Sequence, residues 1–128
     1  EVGAIVQCAK RNGYKVCARN GKHSFEGDSS CAFGVVVDVH KFNEIHLMDY
    51  DQGKVRLGAG LTLGKVAVEV EERLHLTFPM GHCASVGLTG LVLVGGQGVL
   101  SRHLGMAVDY ISAIEFVDHT GALIKANR

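Results

Sequence analysis

Two glycine-bearing segments constrain this chain of 128 residues more than any other feature. The first spans residues 19–24 and places His23 two residues after Gly21, where the backbone must turn tightly. The second spans residues 81–98 and holds six glycines but only two strong nucleophiles or ligands, His82 and Cys83. Glycine lets a backbone approach another molecule closely, and successive free N–H groups form a concavity that suits a diphosphate. The two segments therefore predict one large cofactor that is contacted at two points.

The residues around these glycines resemble a known family. Residues 19–27 read Arg-x-Gly-x-His-Ser-x-Glu-Gly, and residues 81–87 read Gly-x-Cys-x-Ser-Val-Gly. Both resemble the PCMH-type FAD-binding domain of the berberine-bridge-enzyme-like flavoprotein oxidases, which belong to the vanillyl-alcohol-oxidase superfamily. The likeness continues in three further motifs, at residues 95–98, 100–102 and 105–109.

This resemblance implies a set of cofactor contacts. In the family, one histidine and one cysteine both bond covalently to a single FAD, and these correspond to His23 and Cys83. The first segment is expected at the diphosphate, and the second along the isoalloxazine and ribityl groups. The other implied contacts are Arg19, Asn20, Gly21, Lys22, Ser24, Gly81, Ser85, Val86, Gly87 and Gly90.

The sequence departs from the family pattern at four positions. Lys22, Thr89 and Val94 stand where the family usually has glycine. Leu91 stands where a histidine or tyrosine is common. These replacements add side chains to closely packed loops.

The resemblance also implies an activity for the full-length protein. Such an oxidoreductase removes a hydride from an alcohol or amine-bearing carbon and passes it to FAD, and dioxygen then reoxidises the flavin to give hydrogen peroxide. Its partners are a small-molecule substrate, dioxygen and the remainder of its own chain, where we expect the catalytic base. Many members are secreted, so we expect the same here. The alternative is a non-catalytic flavin-fold binding or storage module, or an inactive fragment, which the glycine replacements favour.

Length and composition indicate one globular domain and exclude several classes. The chain is 47% apolar and 20% charged, with a net charge of zero, so no basic field attracts nucleic acid or an anionic membrane. The longest apolar run, residues 91–94, is far shorter than the ~20 residues of a membrane span.

Because the chain starts without Met inside a helical pattern, we expect residues 1–128 to be a partial FAD domain. We expect its N-terminal start and a C-terminal substrate domain to be missing.

Other chemistries fit the glycines and cysteines less well. Gly58, Gly60 and Gly64 precede a helix but have the wrong spacing for a Rossmann fingerprint, and residues 81–98 lack the Lys-Ser/Thr of a P-loop. Metal binding is disfavoured because adjacent His82 and Cys83 point apart on an extended chain.

The remaining cysteines leave alternatives open. The sequence has no Cys-x-x-Cys pair of the kind found in zinc sites. We favour buried free thiols for Cys8 and Cys17. A disulfide among Cys8, Cys17 and Cys31 stays open for a secreted protein, because the spacings do not select a pair.

The order of periodic segments predicts an α+β fold with mixed sheets and flanking helices. We expect a first helix that ends at Asn12–Gly13, strands at residues 14–18 and 33–39, and hairpins at residues 45–57 and 111–124. The second of these strands should be covered on both faces. A helix over residues 63–74, capped by Thr62, should bury one face made of Leu63, Val66, Ala67, Val70 and Leu74.

Overall fold

The computed structural model describes residues 1–128, which form two compact units. The first unit holds residues 1–19, 24–38 and 111–128, and the second holds residues 20–23 and 39–110. None of the helices is long and apolar enough to cross a bilayer.

In chain order the elements are α1 (Val2–Arg11), β1 (Val16–Arg19), β2 (Val35–Asp38), β3 (Ile45–Asp49), β4 (Lys54–Leu57), α2 (Leu63–Val66) continued by a π-helical segment (Ala67–Glu72), α3 (Leu88–Leu93), α4 (Ser101–Leu104), a 3₁₀ turn (Ala107–Tyr110), β5 (Ala113–Val117) and β6 (Leu123–Asn127).

The predicted α+β fold is confirmed. Three two-stranded sheets are present, of which β1–β2 is parallel and β3–β4 and β5–β6 are antiparallel. Both predicted hairpins are therefore present. The first helix ends where its sequence predicts, at Asn12, and Gly13 follows with a φ of +70° that favours glycine.

The burial of β2 differs from the expectation. Its four residues are all half-exposed, although its apolar run predicts a strand covered on both faces. The reason is that β2 pairs only with β1, in a register that sets Val16 opposite Val35. A sheet of two strands leaves an edge on each strand, and the described residues do not cover both faces.

A disulfide joins Cys17 to Cys31, with their Cα atoms 6.1 Å apart. The preference for buried free thiols was therefore wrong at Cys17, and it was wrong at Cys8 because that free thiol is exposed. The parallel pairing of β1 with β2 brings the turn before β2 next to β1, and sequence spacing alone cannot show this. The disulfide closes a loop between residues that are 14 positions apart. In the chain-entropy account, closing a loop of this length stabilises a fold by about 3 kcal/mol.

The core of the second unit lies around the helix over residues 63–72. Of the predicted stripe, Leu63, Val66 and Val70 are buried, whereas Ala67 and Leu74 are only half-buried. The second half of the helix is π-helical. Thr62 occupies the N-cap position, but its hydroxyl makes no capping hydrogen bond. Instead, the amides of Leu63 and Gly64 donate to the carbonyls of Val86 and Ala84 at 2.9 and 3.0 Å. The buried apolar residues of this unit are Leu61, Leu63, Val66, Val70, Pro79, Leu88, Val92 and Ala107.

Sequence periodicity missed three short elements of the second unit. Helix α3 lies inside the glycine-rich segment that reads as a loop, and α4 and the 3₁₀ turn follow it. Glycine and β-branched residues disfavour an isolated helix. Burial of Leu88 and Val92 supplies the missing stability, because these side chains lie in the core.

Candidate functional site

The two glycine-bearing segments meet in the second unit, at Gly21 and Gly87. A Cβ atom on Gly21 would overlap the backbone nitrogen of Gly87, and a Cβ on Gly87 would lie 2.9 Å from the nitrogen of Gly21. Backbone atoms cannot rotate aside as a flexible side chain can, so only glycine permits this approach. Gly21 and Gly87 were predicted to make room for a cofactor, and the structure shows that each also makes room for the backbone of the other.

Asn20 holds the first segment in place. Its Nδ2 atom donates to the carbonyl oxygens of Ala59 and Leu61, at 2.9 and 2.8 Å. The hydroxyl of Thr89 donates to the same Ala59 carbonyl at 3.2 Å. Because both N–H groups of the Asn20 amide are used within the protein, this residue anchors the loop.

His23 and Ser85 form the side-chain link between the two segments. The Nε2 atom of His23 lies 2.9 Å from the Oγ atom of Ser85, and both residues are exposed. These residues are 62 positions apart in the sequence. The structure therefore brings together two side chains that the resemblance assigns separately to the cofactor.

The stretch from Cys83 to Val86 forms a turn beside this link. The amide of Val86 donates to the carbonyl of Cys83 at 3.1 Å, and Cys83 itself is an exposed free thiol. The amides of residues 82–85 donate no hydrogen bond within the chain. Since backbone donors need a partner, these N–H groups are available to an acceptor on a bound molecule.

The polar side chains at the two ends of the first segment are engaged inside the first unit. The Nε atom of Arg19 pairs with Oδ2 of Asp38 at 3.2 Å, where β1 and β2 are in register. The hydroxyl of Ser24 donates to Asp28 at 3.1 Å and accepts from the Asp28 amide at 3.2 Å. Lys22 is exposed and has the positive φ of +63° that the glycine of the family pattern would adopt easily.

The remaining glycines of the predicted site differ in what surrounds them. A Cβ on Gly81 would press on the side chains of Leu91 and Leu63, at 3.0 and 3.2 Å. A Cβ on Gly90 would meet nothing within 4 Å, although this exposed residue lies within α3. No contact inside the chain therefore requires glycine at position 90.

A groove of about 290 Å³ lies next to the second segment. It was not predicted, because its apolar residues are far apart in the sequence and show no common period. His82 and Ala84 from the turn line one side of it. Its other lining residues include Leu63, Phe78, Met80, Val99 and Leu100, with Glu71 as the acidic member.

A sequence profile described as an FAD-binding domain matches residues 1–127. The chain belongs to this FAD-binding domain family. Berberine bridge enzyme-like 3 of Arabidopsis thaliana is 41% identical over 97% of the chain, which corresponds to 24% of that protein. The resemblance to berberine-bridge-enzyme-like oxidoreductases and the PCMH-type fold are thereby confirmed. The chain spans about a quarter of the length of the curated relatives it matches.

Two solved structures are similar to this FAD-binding domain. The 6-hydroxy-D-nicotine oxidase of Arthrobacter nicotinovorans has a TM-score of 0.92 and 32% identity, covering 98% of this chain and 27% of that one. The carbohydrate oxidase of Microdochium nivale, in complex with a substrate analogue, has a TM-score of 0.91 and 26% identity, covering 98% and 27%. The fold of the chain is therefore that of a flavin domain in larger oxidases.

The residues of the second unit fit an FAD cofactor. Gly90 leaves open space where a side chain would otherwise stand. The turn at residues 82–85 offers amide donors, and His23 and Cys83 offer two exposed nucleophilic side chains. This combination of open backbone, donors and nucleophiles suits a large, flat and anionic molecule.

Proposed function

We propose that residues 1–128 are a partial FAD-binding domain of a longer flavoprotein oxidoreductase, with FAD bound where the two glycine-bearing segments meet. The observation that carries this proposal is the 2.9 Å contact between His23 and Ser85. It places an exposed imidazole beside the turn that bears the exposed thiol of Cys83. Family membership supplies the identity of the cofactor.

The chain's own residues have distinct tasks in this proposal. The amides of residues 82–85 donate hydrogen bonds to the cofactor, because they have no acceptor within the chain. Gly90 leaves room for the cofactor against α3. Asn20 and the Gly21–Gly87 contact keep the two segments at a constant separation.

His23 and Cys83 supply the covalent links. Neutral imidazole and thiolate are both competent nucleophiles. Each link would replace one hydrogen of the isoalloxazine system and the proton of the nucleophile, and dioxygen would take up the two electrons and two protons as hydrogen peroxide. The links prevent the cofactor from dissociating during turnover.

The relatives support a proposed substrate class. When bound, FAD supplies a two-electron acceptor that takes a hydride from the substrate and is reoxidised by dioxygen, with formation of hydrogen peroxide. One similar structure is a nicotine-derivative oxidase and another is a carbohydrate oxidase. The proposed site of oxidation is therefore a carbon that bears an amine or an alcohol. We also propose that the full-length enzyme is secreted, as many members of the family are.

The side chains that replace family glycines at positions 22, 89 and 94 favour a non-catalytic module when only the sequence is considered. Their surroundings in the structure weaken that argument. Thr89 gains a hydrogen bond to Ala59, and Val94 is exposed with an ordinary φ of −104°. Both side chains are thus accommodated. Of the three residues that replace glycine, only Lys22 adopts the left-handed conformation that a side chain disfavours.

Acid precipitation of the full-length protein tests the proposal. We expect the yellow chromophore to stay with the denatured protein, and a His23→Ala and Cys83→Ala double variant to release it. A matched double variant, His103→Ala with Cys8→Ala, removes an exposed histidine and an exposed free cysteine elsewhere and should retain the chromophore. Quantitative release of flavin from the unmodified protein would refute covalent attachment, and absence of any flavin would refute FAD binding.

A further inference from the structure

The hydrogen bond between His23 and Ser85 involves only one of the two imidazole nitrogens. Nε2 lies 2.9 Å from the Ser85 hydroxyl oxygen, whereas Nδ1 has no partner within the chain. A neutral imidazole carries its proton on one nitrogen and a lone pair on the other. Because the Ser85 hydroxyl can donate or accept, the direction of this hydrogen bond corresponds to the tautomer: Nδ1 has a lone pair if Nε2–H donates, and a proton if Nε2 accepts.

We propose that Ser85 is a positioning residue that holds His23 as the Nε2–H tautomer, with the Nδ1 lone pair free to act as the nucleophile. This inference rests on the proposed function of His23. The hydroxyl of Ser85 has no other hydrogen bond in the chain, so it is free to accept from Nε2–H. The opposite arrangement occupies the Nε2 lone pair and leaves an Nδ1–H group, so that neither nitrogen can attack.

The surroundings of both residues support a positioning role. The backbone on either side of Ser85 is held by three hydrogen bonds, from Leu63 to Val86, from Gly64 to Ala84 and from Leu88 to Leu61, each between 2.9 and 3.0 Å. The His23 loop is anchored by Asn20. Two exposed side chains on anchored backbones can therefore keep one relative geometry, as a preorganised nucleophile requires.

The direct test measures the tautomer in the full-length protein prepared without flavin and labelled with ¹⁵N-histidine. Two-bond ¹H–¹⁵N correlations distinguish the two tautomers, and the signals of His23 are identified by their loss in His23→Ala. We expect the Nε2–H pattern in the unmodified protein and in Ser85→Thr, which keeps the hydroxyl, and a tautomer mixture in Ser85→Ala. An Nδ1–H pattern in the unmodified protein would overturn the proposal.

A second readout follows acid-stable flavin after FAD is added to the same proteins. The initial rate should fall about threefold to tenfold in Ser85→Ala, the equivalent of one hydrogen bond, and should stay near the original rate in Ser85→Thr. Ser112→Ala removes another exposed hydroxyl without a hydrogen bond and should have no effect. Equal rates for Ser85→Ala and the unmodified protein, or equal loss in Ser85→Thr, would overturn the role of Ser85. Failure of the unmodified protein to acquire acid-stable flavin would instead refute the proposed function, because the tautomer measurement does not depend on FAD.

Discussion

Gly21 and Gly87 lie with their backbones in direct contact, so that a methyl group on either residue would collide with the other. This contact sets the separation of two segments that carry the nucleophiles of the proposed site. The His23–Ser85 hydrogen bond lies on the same pair of segments, two residues from each glycine. Packing of the backbone thus determines which side chains can cooperate.

Replacing Gly21 with alanine should destabilise the second unit. The new methyl group would meet backbone atoms of Ser85 and Gly87, which have no freedom to rotate away. We expect the free energy of unfolding to fall by about 1–3 kcal/mol, as in other overpacked sites. Urea denaturation of the full-length protein measures this loss.

Gly90→Ala is the matched control for that substitution, because a Cβ at position 90 meets no atom. Position 90 lies in a helix, where alanine is favoured over glycine by about 1 kcal/mol, so the stability of this variant should not fall when both variants are measured without flavin. An equal loss in both variants would contradict the importance of the close approach.

Replacing Lys22 with glycine should stabilise the protein. The φ of +63° at Lys22 costs about 1–2 kcal/mol for a residue with a Cβ, and glycine removes this cost while adding roughly 0.5–1 kcal/mol of unfolded-state entropy. A net gain of up to about 1.5 kcal/mol in thermal or urea unfolding is expected. Lys41→Gly, at an exposed turn position without a positive φ, should lose stability instead. A loss at position 22 as large as that at position 41 would show that the backbone is not strained there.

Removing the thiol of Cys83 tests whether flavin is bonded to both His23 and Cys83 or to His23 alone. We expect Cys83→Ala to keep flavin attached through His23 but to make it harder to reduce, because one ring substituent is lost. Redox titration beside the unmodified protein measures this shift, and Cys8→Ala, which removes the other exposed free thiol, serves as the control. A flavin peptide of the unmodified protein that contains His23 alone, with Cys83 recovered as an alkylatable thiol, would show that only the single link exists.

Placing a charge at Val70 should disrupt the core of the second unit. Val70 is 4% exposed and lies on the buried face of the helix that continues from α2. Val70→Asp loses about 1.5–3 kcal/mol of apolar burial and adds the cost of an unpaired buried charge. Glu72→Gln changes an exposed neighbour and should leave the unfolding midpoint unchanged. Equal midpoints for both variants would contradict the assignment of this face to the core.

The hairpin turn between β5 and β6 should contribute a pH-dependent stability. The hydroxyl of Thr120 donates to the Asp118 carboxylate at 2.7 Å, and with the amides of Thr120 and Ala122 it lowers the pKa of Asp118 below its ordinary value. A carboxylate whose pKa is lower in the folded state stabilises the fold above its unfolded pKa. That contribution is lost as the pH falls through the folded pKa. Asp118→Asn should therefore flatten the acid limb of a plot of stability against pH, and an unchanged limb would contradict the assignment.

Several elements of this protein could be predicted because neighbouring residues specify them. The helical spacing of Val2, Ile5, Val6 and Ala9 predicts α1, and the stop signal Asn12–Gly13 predicts where it ends. The turn residues 49–53 and 118–121 predict the two hairpins, since such a turn joins strands that are adjacent in sequence. Both hairpins are local structures and need no information from distant residues.

The family of the chain was also evident from the sequence alone, because the residue types and spacings around His23 and Cys83 resemble one FAD-binding family. Only the tertiary structure decided that Gly21 packs on Gly87, that Nε2 of His23 faces Ser85, and that Cys17 pairs with Cys31. The same holds for α3, which forms in a glycine-rich stretch because Leu88 and Val92 are buried. The physical reason is that each of these features depends on contacts between residues far apart in the chain, and local propensity contains no information about such contacts.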